Sequence, residues 1–150
     1  MIKCISIRDI NKEQYDEVWV IVRSLKNPIK NTIQVKHLSP SYDLFLKYLA
    51  LRDKGQWNKD SFENIYVPQF LDEIKHNPLA RNLLNKLFEM DKNGKHIALA
   101  CFCTDEALCH RSILAGMLAY KGANVVTQND ISQYLKYGAL YDAIPIAPYF

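Results

Sequence analysis

Twelve consecutive positions, "CFCTDEALCHRS" at 101–112, hold three of the chain's four cysteines, one of its four histidines and an arginine. Residue types at that density serve metal binding, thiol catalysis, anion binding or close packing. For a metal, Cys101, Cys103, Cys109 and His110 are the ligand set, because alternate residues of a strand face one way and a C-x-C pair presents two thiolates together. A structural zinc site usually draws on separated pairs such as C-x-x-C, and the chain has none, so no metal and no cofactor is assigned. For thiol chemistry, Cys103 or Cys109 qualifies by its nearness to His110, Arg111 and a helix start, all of which lower a thiol pKa. Cys103 precedes Arg111 by eight positions, which is not the spacing of a phosphatase loop. The packing reading makes Cys101 and Cys109 small buried hydrophobes.

The elements around the cluster decide what it can meet. "IKCISI", "DEVWVIVRS", "HIALACF" and "ANVVTQ" are β-branched or continuously apolar runs, the pattern of strands covered on both faces. Segments of helical spacing separate them, so the fold class expected is α/β: a Rossmann-like three-layer α/β/α sandwich with a mainly parallel sheet. Ser39 and Pro40 are the expected cap and first-turn proline of a helix ending near Gly55, and Pro68 should kink or split the next one. Asn77 and Pro78 open a third helix with Leu79, Leu83, Leu84, Leu87 and Phe88 on one face, closed by Gly94. A fourth runs from His110 to Tyr120. Asp130 caps a short last helix closed by Gly138, and the apolar stretch 139–150 packs as a tail on a single domain of residues 1–150.

With strands 2–7, 17–23 and 96–102 parallel, their carboxyl ends lie along one edge of the sheet, where open α/β folds bind ligands. Arg8, Arg23 and the 101–112 turn, with Arg111, are then expected to meet at one crevice beside the amide-rich start of the fourth helix. That is a site for phosphate or carboxylate. Ser24, Thr104 and Ser112 are candidate hydroxyl donors, with Cys103 and Cys109 lining the same turn. His110 is the candidate acid or base, and Asp105 the carboxylate beside it, with Glu106 next in sequence. Tyr66, Trp57 and Tyr42 offer faces for stacking on a base or sugar.

The pattern over residues 2–127 resembles a prokaryotic and phage family, the domain of unknown function numbered four-eight-eight. The resemblance rests on Arg8 after the first strand, Arg23 followed by a lysine and a proline, and Pro40–Ser41 at a helix start. It continues with Trp57, Phe62 and Tyr66, and ends in the strand, C-x-C, C-H-R and helix signature of Cys101, Cys103, Cys109, His110 and Arg111. The loop after the second strand departs from it, reading "LKNPI" where the family often has "WPRG". What the resemblance implies is a Rossmann-like three-layer fold with a nucleotide or nucleic-acid-related ligand at the strand ends, and no established reaction.

Composition sets the outer bounds. The 150 residues carry a formal net charge of +3, too small to favour wrapping nucleic acid by field alone, and 49% of them are hydrophobic. No run approaches the length of a membrane span, and "MIKCISIRDI" lacks a signal-peptide core. A cytoplasmic location is therefore expected, with the cysteines as thiols. The function expected is binding of a nucleotide-like or phosphorylated small molecule, with sequestration, as in a phage anti-defence role, or hydrolysis of a glycosidic or phosphate bond as its use. The alternatives are a protein-interaction module, forming a homodimer through the tail, and a metal or redox site.

Overall fold

A computed structural model describes residues 1–146. The apolar runs pair as a five-stranded, all-parallel sheet in the order β3-β2-β4-β1-β5. The strands are β1 (Ile2–Ser6), β2 (Glu17–Val20), β3 (Ile33–Gln34), β4 (Ile97–Cys101) and β5 (Val125–Val126). The central strand β4 is buried at every position. Its register sets Ser6 of β1 opposite Cys101 and Val20 of β2 opposite Ala100, so three carboxyl ends finish side by side. The α/β Rossmann-like architecture expected from the alternation of segments is the one observed. The two-residue strand β3 carries no alternation of its own and was missed.

Side-chain alternation along β4 sorts two cores. Ile97, Leu99 and Cys101 belong to the large one, which also holds Phe70 and Ile74, Leu87, and Ile113 and Leu114 from the helical layer. Ala98 and Ala100 face the other way, into a small cluster with Ile5 and Val18 against which Ile7 and Ile10 pack. Ile7 and Ile10 sit in a 3-10 helix, Ile7–Lys12, which makes the second covering layer thin. The small alanine side chains let this short turn lie close against the sheet.

The helical layer comprises α1 (Tyr42–Asp53), α2 (Lys59–Ser61), α3 (Val67–Lys75), α4 (Pro78–Lys92), α5 (His110–Tyr120) and α6 (Leu135–Ala143). Ser41, not Ser39, caps α1: its hydroxyl accepts from the Leu44 amide at 3.1 Å. Asn77 caps α4 as expected, although Leu79 of the expected apolar face is 54% exposed. Pro68 does not break its helix. A π-helical turn over Phe62–Tyr66, where the Val67 amide reaches back to the Phe62 carbonyl, precedes it and takes up the mismatch that a proline without an N–H creates.

Gly138 was expected to stop the last helix, but α6 runs through it. Its role is contact: a Cβ there would overlap the Tyr120 side chain, and one at Gly116 would overlap the Tyr134 carbonyl. α5 and α6 therefore cross with backbone against side chain. The start of the expected tail is this helix, with Tyr141 buried, and residues 147–150 lie outside the described residues. Among the described residues no helix is long and apolar enough to cross a membrane. Gly116→Ala is expected to lower unfolding free energy by about 3 kcal/mol, because the backbone it strikes has nowhere to move. Chemical denaturation with an unchanged slope would check it.

Candidate functional site

The cluster is built by two elements that end face to face. β4 delivers Cys101 on its large-core face, and the chain then turns through residues 102–105 into a 3-10 helix, Glu106–Leu108. Asp105 caps that turn, its carboxylate accepting from the Ala107 amide at 3.0 Å. Cys109 is the N-cap residue of α5, extended in backbone and without a side-chain cap bond. The four polar atoms of Cys101, Cys103, Cys109 and His110 all lie within 4.8 Å of one another. Cys101 Sγ is 3.8 Å from Cys103 Sγ and 3.9 Å from His110 Nδ1, and Cys109 Sγ is 3.7 Å from that same nitrogen. All four cysteines of the chain are free thiols.

His110 is buried, and its orientation is fixed at the far side of the ring. Nε2 lies 2.7 Å from the Ile21 carbonyl oxygen. A carbonyl only accepts, so Nε2 carries the hydrogen and Nδ1 turns its lone pair toward the sulfurs in the neutral ring. Burial opposes charge on this imidazole, but the Cys101 and Cys109 sulfurs outweigh it and pull its pKa well above the usual histidine range. Hydrogen bonding with Cys103 and Cys109 lowers the pKa of the Cys101 thiol, while the same contacts push Cys103 up. The cluster thus favours shared negative charge on sulfur, at the positive end of α5.

Above the cluster opens a crevice of about 550 Å³ at the carboxyl ends of β2 and β4. Phe45, Tyr48, Leu49 and Arg52 form one wall, spaced as a single stripe of α1. Rings continue from there inward. Tyr48 meets Trp57 edge-on at 4.7 Å, Trp57 meets Tyr66 at 5.5 Å, Tyr66 stacks on Phe70 at 6.1 Å, and Phe70 lies 5.7 Å from the His110 ring. Arg23 and Ser24 sit at the mouth, with Arg23 Nε donating to the Pro40 carbonyl at 2.9 Å. Tyr66 is both core and lining. The sequence of α1 carries no marked apolar face, so nothing in it singles out Phe45, Tyr48 and Arg52 as a cavity wall, and Phe102 beside the cysteines was likewise not identified.

The arginines expected at one crevice are divided. Arg23 faces the crevice just described, whereas Arg8 and Arg111 line a separate groove with Cys4 and Glu106; Thr104 borders both. Two facts of geometry explain it. Adjacent residues on a helix point about 100° apart, so His110 and Arg111 cannot address the same space. Arg8 belongs to the thin 3-10 layer on the opposite face of the sheet, where it is exposed. Arg111 itself is buried, with Nη2 donating to the Cys103 carbonyl at 2.9 Å and Nε without a partner.

Two further expected residues are placed elsewhere. Ser112 is fully buried and its hydroxyl donates to the Cys109 carbonyl at 2.9 Å, so it closes the helix start and offers nothing to a ligand. Asp105 is exposed and does not border the crevice. Its neighbour Glu106 is the buried carboxylate. It accepts from the Gln128 and Asn129 amides at 2.9 and 3.1 Å and from the Tyr134 hydroxyl at 2.9 Å, tying the cluster's loop to the chain after β5. Sequence alone offered no sign of this anchor beyond its place beside Asp105.

Fold and site together define a Rossmann-like α/β domain with a Cys/His centre under an aromatic crevice at its strand ends. The chain belongs to the DUF488 family: the family model described as the active DUF488-N3 subclade matches residues 2–122. That span holds β1 through α5 and every residue of the cluster. No curated protein and no solved structure matches the chain. Glu106→Ala is expected to cost about 2 kcal/mol of stability, since it removes the acceptor of the Gln128 and Asn129 amides and leaves the buried Tyr134 hydroxyl without it. Thermal and urea unfolding of the variant would check this.

Proposed function

We propose that the chain binds a small, planar, anionic molecule of nucleotide-like or phosphorylated type in the crevice above the Cys/His cluster. The supporting observation is the crevice itself. Its volume of about 550 Å³ falls in the range of small-molecule sites, and it joins aromatic faces to two cations, Arg23 and Arg52. Tyr48, Trp57 and Tyr66 offer ring faces or edges to a base, and the guanidinium groups at the rim suit the charged end of such a ligand.

Holding the ligand is the activity this reading includes. Hydrolysis of a glycosidic or phosphate bond needs an acid and a base on the same reacting atoms, and Asp105 is turned away into its cap. His110 has one nitrogen bound to a backbone carbonyl and the other directed at sulfur. A protein that sequesters a nucleotide needs affinity without turnover. A reducing, cytoplasmic setting is part of the same reading, because the cysteines are unpaired thiols.

Calorimetric titration with a panel of nucleotides, nucleosides and inorganic phosphate is the test. At least one nucleotide is expected to bind saturably. Trp57→Ala, removing one ring face, should cost about 1–3 kcal/mol, roughly 5- to 150-fold in affinity. Arg52→Ala should weaken phosphorylated ligands more than nucleosides. A folded protein that gives neither heat nor thermal shift across the panel ends the proposal.

A further inference from the structure

We propose that Cys101, Cys103, Cys109 and His110 form a tetrahedral Zn²⁺ site of the Cys3His type, which nails the floor of the crevice together. The proposal is independent of the crevice ligand and rests on four observations. The first is distance. Zinc with bonds of about 2.3 Å to sulfur and 2.0–2.1 Å to nitrogen requires tetrahedron edges of about 3.8 Å between sulfurs and about 3.5 Å from sulfur to nitrogen. The edges present are 3.8 Å for Cys101 to Cys103, and 3.9 and 3.7 Å from Cys101 and Cys109 to His110 Nδ1, with every remaining edge within 4.8 Å. Four side chains already hold the outline of the coordination sphere.

The second is the imidazole. Its Nε2–H is spent on the Ile21 carbonyl, so the nitrogen that a metal would take, with loss of any proton on it, is Nδ1 among the thiols. A backbone carbonyl on the outer ring nitrogen is a usual partner of a metal-bound histidine, because it fixes the tautomer and the ring plane.

The third is charge. Three thiols surrender their protons to solvent on binding, so three thiolates around one dication leave a net charge of about −1. Arg111, 3% exposed, is next to the cluster through its bond to the Cys103 carbonyl, and its Nε has no partner. Among the described residues no carboxylate forms an ion pair with it. A buried guanidinium left so needs an anion nearby, and the filled centre is one.

The fourth is pairing. The donors come as two pairs, C-x-C at the end of β4 and C-H at the start of α5, in place of two C-x-x-C motifs. The donor set of three sulfurs and a nitrogen, nearly all buried, suits zinc over an iron–sulfur cluster, whose ligands are typically all cysteine. With four protein donors no position is left open, so the ion is structural.

The whole chain, purified under reductant with zinc supplied and no nucleotide, should retain one zinc per molecule by elemental analysis. Exchange for Co²⁺ should give sulfur-to-cobalt charge-transfer absorption with the visible bands of tetrahedral cobalt. Cys103→Ser, the least buried of the four positions, should lose about tenfold or more in zinc affinity by chelator competition, with circular dichroism confirming the fold. Cys4→Ala, outside the quartet, should leave the cobalt spectrum unchanged. A folded wild-type chain that holds no zinc, an octahedral cobalt spectrum without charge transfer, or unchanged affinity in the Cys103 variant would each overturn the site. Nucleotide titration of the zinc-loaded protein reads out separately, so either proposal can fail alone.

Discussion

One hydrogen bond organises the functional end of this protein. The Ile21 carbonyl, just past the end of β2, takes the Nε2–H of His110 at the first residue of α5. Ile21 is itself held to β4 by its amide, which donates to the Ala100 carbonyl at 3.0 Å. A strand, the neighbouring strand and a helix are thereby locked at one point, and the direction of the imidazole follows from the lock. Without it the ring could turn, and the sulfurs would face either tautomer or none.

The rings stacked behind His110 make the arrangement rigid from a second side. The series from Tyr48 through Trp57 and Tyr66 to Phe70 links the outer helix to the imidazole by contacts of 4.7–6.1 Å. The π-helical turn before Pro68 contributes both Phe62 and Tyr66 to this packing. π turns place an extra residue in a helix and commonly occur at functional sites. Here it sets the Tyr66 ring against the crevice, with Phe62 stacked behind it in the core.

What the sequence disclosed and what it concealed divide along local and non-local lines. The strand and helix alternation was legible because burial on both faces leaves continuous apolar runs, as in "HIALAC", and because Asn77–Pro78 is a local start signal. The quartet's members were named from type and spacing alone. Their convergence was not derivable, because a search for C-x-x-C looks along the chain, and the second pair here is C-H across a turn. The arginines misled for the opposite reason. Arg8, Arg23 and Arg111 do all follow strand ends, but one edge of the sheet carries two separate cavities, with Arg23 in one and Arg8 and Arg111 in the other. Gly138 shows the same limit, since a close helix crossing and a helix stop both ask for glycine and only the partner, Tyr120, tells them apart.

The alternation along β4 makes the cluster sensitive to strand length. Cys101 reaches His110 because it shares parity with Ile97 and Leu99, while Ala98 and Ala100 look toward the thin layer. Loss or gain of a single codon within this strand would rotate the thiol through the sheet to the alanine side and bring a methyl group to the histidine. The position of the thiol beside the imidazole thus depends on the count of residues in a five-residue strand, and not only on their types.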